Sequence, residues 1–247
     1  MAYSIGFAGK GGTGKTTLAG LLVKYLVERH MTPVLAVDAD ANSNLNEVLG
    51  LEFKATLGAA REEMKKLNDP GLTKDVFMSM KLEQALVEAQ GFDLLVMGRP
   101  EGPGCYCAAN TLLTKYLEKL GQSYAYLVAD NEAGMEHLSR LTFGNLDLLL
   151  IISDASQRGI QAAGRILDLT RELGLAIRKT ALIINRAPDD SLAGLEKIAG
   201  ALGLLLSGRV PEDSQIREWD FKGRPIIGLE KENKALKAAQ AIFDRLL

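Results

Sequence analysis

Gly9-Lys10-Gly11-Gly12-Thr13-Gly14-Lys15-Thr16-Thr17 is the stretch that decides the fold. It satisfies G-x-x-x-x-G-K-[ST], and its flanks are the ones that pattern requires. The apolar run Tyr3 to Phe7 before it reads as a buried strand. After it, Leu18, Leu21, Leu22, Tyr25 and Leu26 recur at i, i+3, i+4, i+7 and i+8, one face of a helix. Glycines here let backbone N–H groups converge on phosphate oxygens, and the helix N-terminus adds its positive end. Lys15 is expected to bridge the terminal phosphates of ATP and the Thr16 hydroxyl to bind Mg²⁺, with Gly11, Gly12, Thr13, Gly14 and Thr17 completing the cradle. A glycine-rich turn with chance lysines would not need both a strand before it and a helix after it.

Working outward, further β-branched or leucine-rich runs occur at Val34 to Val37, Leu94 to Val96, Tyr126 to Val128, Leu148 to Ile152, Thr180 to Ile184 and Leu204 to Leu206. They alternate little with polar residues, as strands buried on both faces do, and longer helical patterns lie between them. Strand-helix-strand order predicts an α/β fold, a P-loop NTPase domain with a mostly parallel central sheet and helices on both faces. No repeat or linker divides the chain, so residues 1–247 are expected to form one domain, with the more polar stretch 50 to 92 as helices inside it. Ligands of such sheets bind beyond the carboxyl ends of the strands.

Composition narrows the function. The 247 residues are 47% hydrophobic and 24% charged, enough for a substantial core. With 29 basic and 31 acidic residues the formal charge is −2, which provides no general attraction for nucleic acid or an acidic membrane. No run of about 18 apolar residues occurs, and the start lacks a charged region leading into an apolar one. A cytoplasmic protein without nucleic-acid or membrane partners is expected. The terminal segment Glu230 to Leu247 has Leu236, Ala239, Phe243 and Leu246 on one side but mixed charges on the other, which predicts a helix docked on the sheet rather than a membrane anchor.

Two strand ends carry carboxylates. Val34 to Val37 leads into Asp38-Ala39-Asp40-Ala41-Asn42-Ser43-Asn44, where Asp38 and Asp40 would face a metal-bound γ-phosphate, one toward water and one toward the Mg²⁺ shell; helix capping by Asp40 or Ser43 is compatible with either role. Tyr126 to Val128 leads into Ala129-Asp130-Asn131-Glu132-Ala133-Gly134.

Lys10, the extra lysine of the loop, makes this chain resemble the deviant P-loop family of the division-site ATPase MinD, the partition ATPase ParA and the nitrogenase iron protein. The resemblance runs from residue 3 to about residue 228. It implies a nucleotide-dependent homodimer in which Lys10 touches the partner's nucleotide, giving Lys10, Lys15 and Asp40 the catalytic roles, with Asp40 positioning the attacking water. It also implies that Asp130 contacts Mg²⁺ through water, as the acid of a Walker B segment in which Glu132 stands where the family usually has proline. Asn185-Arg186 and Val210-Pro211-Glu212-Asp213 resemble the adenine and ribose contacts; an amide such as Asn185 offers the donor and acceptor that adenine's edge needs. His137 reads as a surface or capping histidine.

The two cysteines of the chain, Cys105 and Cys107, flank Tyr106 after a proline and glycine turn. A disulfide between them would be strained and would close almost no loop. In extended backbone both thiols point one way and can approach one metal at about 2.3 Å, leaving it half coordinated. A twofold dimer supplies four thiolates, suited to Zn²⁺, or to Ni²⁺ if the sulfurs flatten. Gly104-Cys105-Tyr106-Cys107 further resembles the accessory ATPases that mature nickel carbon monoxide dehydrogenase, which implies Ni²⁺ delivery to that enzyme, whereas the residues alone leave nickel and zinc open. Two other readings stand beside it: a reductase with a shared iron-sulfur cluster, for which Asp130 to His137 lacks the needed cysteine, and a positioning ATPase of the MinD or ParA type.

Overall fold

A computed structural model of the chain describes residues 2–66, 71–98, 119–131, 145–188 and 193–247. Within them the strands are β1 (Tyr3–Gly9), β2 (Val34–Ala39), β3 (Leu86–Glu88), β4 (Phe92–Val96), β5 (Tyr126–Asn131), β6 (Asn145–Ser153), β7 (Ala176–Ala187) and β8 (Leu206–Pro211). The helices are α1 (Lys15–Glu28), α2 (Leu45–Leu49), α3 (Leu57–Lys65), α4 (Lys74–Ala85), α5 (Gln157–Glu172), α6 (Ala193–Ala201), α7 (Ser214–Phe221) and α8 (Lys234–Leu246), with a 3₁₀ turn at Ile226–Gly228. The strands form one sheet in the order β3-β4-β2-β5-β1-β6-β7-β8. Every neighbouring pair is parallel except β3 with β4.

Strand side chains alternate between two apolar layers, which is why the sequence shows continuous hydrophobic runs. Ile5 and Phe7 of β1 and Val34 and Ala36 of β2 face one layer, built with Leu18, Leu22 and Leu26 of α1 and Leu236, Ala239 and Phe243 of α8. From β2, Leu35 and Val37 face the other side, where Leu57 of α3 and Leu82 of α4 cover them. Further along the same side, Leu149 and Ile151 of β6 meet Ile160 and Ala163 of α5. Within the polar stretch 50 to 92, expected to be helical, lie helices α3 and α4 and also the short strand β3. Helix α8 lies against the sheet as expected, with its apolar face buried.

The β8 strand corrects the sequence expectation of Leu204 to Leu206. It begins at Leu206 and runs through Ser207-Gly208-Arg209, residues without a hydrophobic signature. Leu204 is buried in the approach to it, and Leu205 is exposed, serving the sheet through its carbonyl, which accepts from the Leu182 N–H at 2.9 Å. The reason is close packing of α8 on the strand backbone: a Cβ at Gly208 would stand 2.5 Å from Ile242 Cγ1. Edge strand β3, three residues long, was too short to leave a periodic signal. Because β1 has β5 on one side and β6 on the other, the loop after β1 opens where the chain's crossovers diverge, at the carboxyl edge of the sheet.

Candidate functional site

The loop after β1 is a preformed anion cradle. Thr13 donates its hydroxyl to the Lys10 carbonyl at 2.8 Å, which closes the turn. Gly14 caps α1 at φ 86°, a left-handed conformation that favours glycine, and no side chain caps the helix nor does any acid occupy its first turn. The N–H groups at this helix end are therefore left for a ligand, with the dipole favouring an anion. Lys15 is buried, whereas Lys10 is exposed and its ammonium has no partner among the described residues.

Two residues far along the chain hold this cradle in shape. The Asn185 amide donates to the Thr13 carbonyl at 2.8 Å, both residues being buried, and the Arg186 guanidinium donates to the Gly12 carbonyl at 3.1 Å. Strand β7 was expected to stop at Ile184 but runs to Ala187, and its pairing with β8 is irregular between Ile184 and Ala187. That irregularity, with Arg186 at φ 51°, turns both side chains toward the loop. A Cβ on Gly14 would lie 2.3 Å from Asn185 Nδ2, so the contact also excludes any larger residue there.

The carboxylates lie at the floor. Asp130, one residue before the end of β5 and beside β1, is almost wholly buried; one oxygen accepts the Thr16 hydroxyl and Oδ1 has no hydrogen-bond partner among the described residues. Burial pushes its carboxyl up to about 7, opposed by the Thr16 hydrogen bond and raised further by the neighbouring Asp38 charge. An orphaned carboxylate oxygen next to a threonine hydroxyl at a phosphate cradle is a donor set fitting a hard divalent cation such as Mg²⁺, directly or through its water. Asp38 is fully buried, accepting the Asp40 N–H at 3.1 Å and the Leu45 N–H at 2.9 Å, and burial pushes it up to about 6. It shapes the loop that presents Asp40. The Asp40 carboxylate accepts the Asn42 N–H at 2.8 Å.

Two cavities meet at Thr17 and Arg186. The larger, about 430 Å³, is lined by Gly11, Gly12, Gly14, Lys15, Thr16 and Asp40. Its remaining walls include Glu47, Asp220 and Arg224, which carried no motif signal because they belong to elements far from the loop in sequence. The smaller lies between Leu18, Leu21, Asn185, Val210, Pro211 and Ile216, a flat apolar slot with an amide at one side. Asp213 also lines it, but its Oδ1 caps α7 by accepting the Ile216 N–H at 3.0 Å and accepts Asn233 Nδ2 at 3.1 Å. Glu212 lines neither cavity and pairs with Arg217 at 3.1 Å on the surface. Cys105, Cys107, Glu132 and His137 lie outside the described residues.

Among the described residues no group of three or more His, Cys, Asp or Glu side chains could hold a metal by itself, and no helix is long and apolar enough to cross a membrane. The sequence profile of the family described as CobQ/CobB/MinD/ParA nucleotide binding domain matches residues 6–226. An uncharacterized ATP-binding protein of Methanocaldococcus jannaschii is 40% identical, with 98% of each chain covered. The carbon monoxide dehydrogenase accessory protein CooC of Rhodospirillum rubrum is 31% identical, covering 98% of this chain and 97% of its own. In structure, the septum site-determining protein MinD of Pyrococcus horikoshii, solved with Mg-ADP, superimposes with a TM-score of 0.73 at 22% identity, over 100% of this chain and 96% of that one. Phosphate cradle, orphaned acid, sheet order and relatives converge: the chain belongs to the CobQ/CobB/MinD/ParA nucleotide-binding family of P-loop ATPases.

Proposed function

We propose that this ATPase is a metallochaperone that dimerises around ATP and carries Ni²⁺ or Zn²⁺ between the Cys105-x-Cys107 pairs of two copies, serving the assembly of a nickel carbon monoxide dehydrogenase. The observation that carries the reading is the Cys105-Tyr106-Cys107 segment in a chain 31% identical, over nearly its whole length, to a carbon monoxide dehydrogenase accessory protein. Two thiolates per chain are half a tetrahedral site, so metal binding and dimerisation are expected to be one event.

In the hydrolytic step the chain's own groups have separable tasks. The Gly11 to Thr17 backbone and Lys15 hold the phosphates, and Asn185 and Arg186 keep that backbone in place from behind. Thr16 and Asp130 would hold Mg²⁺, which supplies charge neutralisation at the terminal phosphates. Asp40, presented by the loop that Asp38 braces, lines the same cavity, and its role would be to orient a water there. The apolar slot beside Asn185 takes the adenine ring, with backbone of the Val210 to Asp213 segment at its edge. Lys10, exposed and without a partner among the described residues, is the group that a second copy would engage.

The test is anaerobic equilibrium dialysis with Ni²⁺ and Zn²⁺, read together with oligomer size. About one metal per dimer is expected in the native protein and none in Cys105→Ser with Cys107→Ser, while ATP binding persists because the two sites are chemically separate. Lys10→Ala keeps ATP binding but loses ATP-dependent dimerisation. Metal retained by the double cysteine variant rejects these ligands, and stoichiometric labile sulfide in anaerobically purified protein rejects the metallochaperone reading in favour of a cluster protein.

A further inference from the structure

The larger cavity is also lined by Asp220, from the end of α7, and by Gly223 and Arg224 in the turn after it, none of which the G-x-x-x-x-G-K-[ST] motif accounts for. The backbone here is firmly placed. Gly223 adopts φ 61° and donates to the Asp220 carbonyl at 3.1 Å, and the Arg224 N–H donates to the Trp219 carbonyl at 2.8 Å, a helix ending closed by a left-handed glycine. Pro225 follows, and Ile226 is buried in the main core. One residue on, the Ile227 carbonyl accepts the Lys24 ammonium at 2.8 Å. Lys24 belongs to α1, the helix whose N-terminus is the phosphate cradle, so Arg224 is tied by a short path to the element that would hold the anion.

Arg224 is exposed. Its side chain makes no hydrogen bond or salt bridge among the described residues, not even with Asp220 in the same wall, although its charge acts on the nearby Glu218 carboxylate. Arg186 differs, since its guanidinium is already engaged by the Gly12 carbonyl. Charge makes the contrast matter. Lys15, Arg186 and Arg224 line the cavity against Asp40, Glu47 and Asp220. Without Arg224 the cavity would have more carboxylates than cations while receiving a polyanion.

We infer that Arg224 is a binding residue of the ATP site, a planar donor that reaches the nucleotide's polyphosphate from a wall of the cavity outside the phosphate loop. A guanidinium suits this position because it presents parallel N–H donors to phosphate oxygens and stays charged at any working pH.

Calorimetric titration with Mg-ADP and with adenosine, at low and at moderate salt, tests the assignment on native protein, Arg224→Ala, Arg224→Lys and Lys15→Ala. Arg224→Ala is expected to bind Mg-ADP about tenfold more weakly, with a shallower salt dependence, and adenosine unchanged; Arg224→Lys recovers part of the loss. An Mg-ADP affinity for Arg224→Ala within about twofold of native overturns the inference, as does an equal loss for adenosine, which would point to shape rather than charge. Lys15→Ala reports separately on the cradle: if it retains native Mg-ADP affinity, this cavity is not the phosphate site and the inference falls with it.

Discussion

Replacing Asn185 with alanine separates holding the loop from reading the base. In the structure the Asn185 amide donates to the Thr13 carbonyl at 2.8 Å, with Asn185 6% and Thr13 4% exposed. Water has little access to the acceptor, so Asn185→Ala leaves a buried carbonyl without its donor, at a cost of about 1–3 kcal/mol. For a chain of this size that corresponds to a fall in Tm of roughly 2–4 °C per kcal/mol, hence about 4–8 °C for a mid-range cost. The loss belongs to the nucleotide-free protein, because the bond exists without ligand. Differential scanning calorimetry on nucleotide-free samples reads it directly, and titration with Mg-tripolyphosphate, which has no base, should show weakened binding as the loop loses its brace. Asn185→Asp, which removes the donor and sets a carboxylate against the Thr13 carbonyl, should be worse on both counts. A nucleotide-free Tm within about 1 °C of native, with tripolyphosphate affinity intact, would refute the clamp and leave Asn185 with a purely base-reading role.

Two further expectations follow from burial. The Asp130 carboxyl, pushed up to about 7, and Asp38, pushed up to about 6, are protonated more readily in the folded than in the unfolded chain, whose carboxyls titrate near 3.9. Their contribution to stability is fully present below the unfolded value and is lost progressively as pH rises from about 4 through the folded values of about 6 and 7, so in EDTA the urea midpoint should fall between about pH 4 and 7, and Asp130→Asn should flatten the fall. An unchanged slope in that variant would show that Asp130 is ionised in the metal-free protein. Phe243→Ala, at a ring 1% exposed between α8 and the sheet and 5.5 Å from the Tyr25 ring, should cost about 3–5 kcal/mol by urea unfolding while sparing nucleotide chemistry in the protein that remains folded. A loss under about 1 kcal/mol would mean that α8 is not part of the cooperative core.

The fold was legible where the signal is local. Nine consecutive residues specify the phosphate loop because a strand, a glycine turn and a helix N-terminus are each short-range structures, and their order alone implies a parallel sheet. Asp38 and Asp130 were readable as strand-end acids for the same reason. What failed was the position of β8, whose backbone meets α8 at Gly208 so closely that no hydrophobic pattern is left to read. Edge strand β3 failed through its length. The family resemblance placed Asn185 and Arg186 near the nucleotide but not behind the loop, since that depends on an irregularity in β7 and on contacts 172 and 174 residues apart in sequence.

Sequence by itself thus identified the phosphate loop: its glycines, Lys15 and Thr16 are legible from residue type and spacing within one turn of chain. It also supplied the Cys105-x-Cys107 pair on which the proposed metal site rests. Only the tertiary structure decided what surrounds the phosphates. Folding leaves Asp130 Oδ1 buried without a partner among the described residues, turns Asp38 into a brace for Asp40, and brings Arg224 to the wall of the cavity that the loop lines although 209 residues separate it from Lys15. The physical reason is that these effects depend on burial and on the meeting of distant backbone segments, which no local spacing encodes.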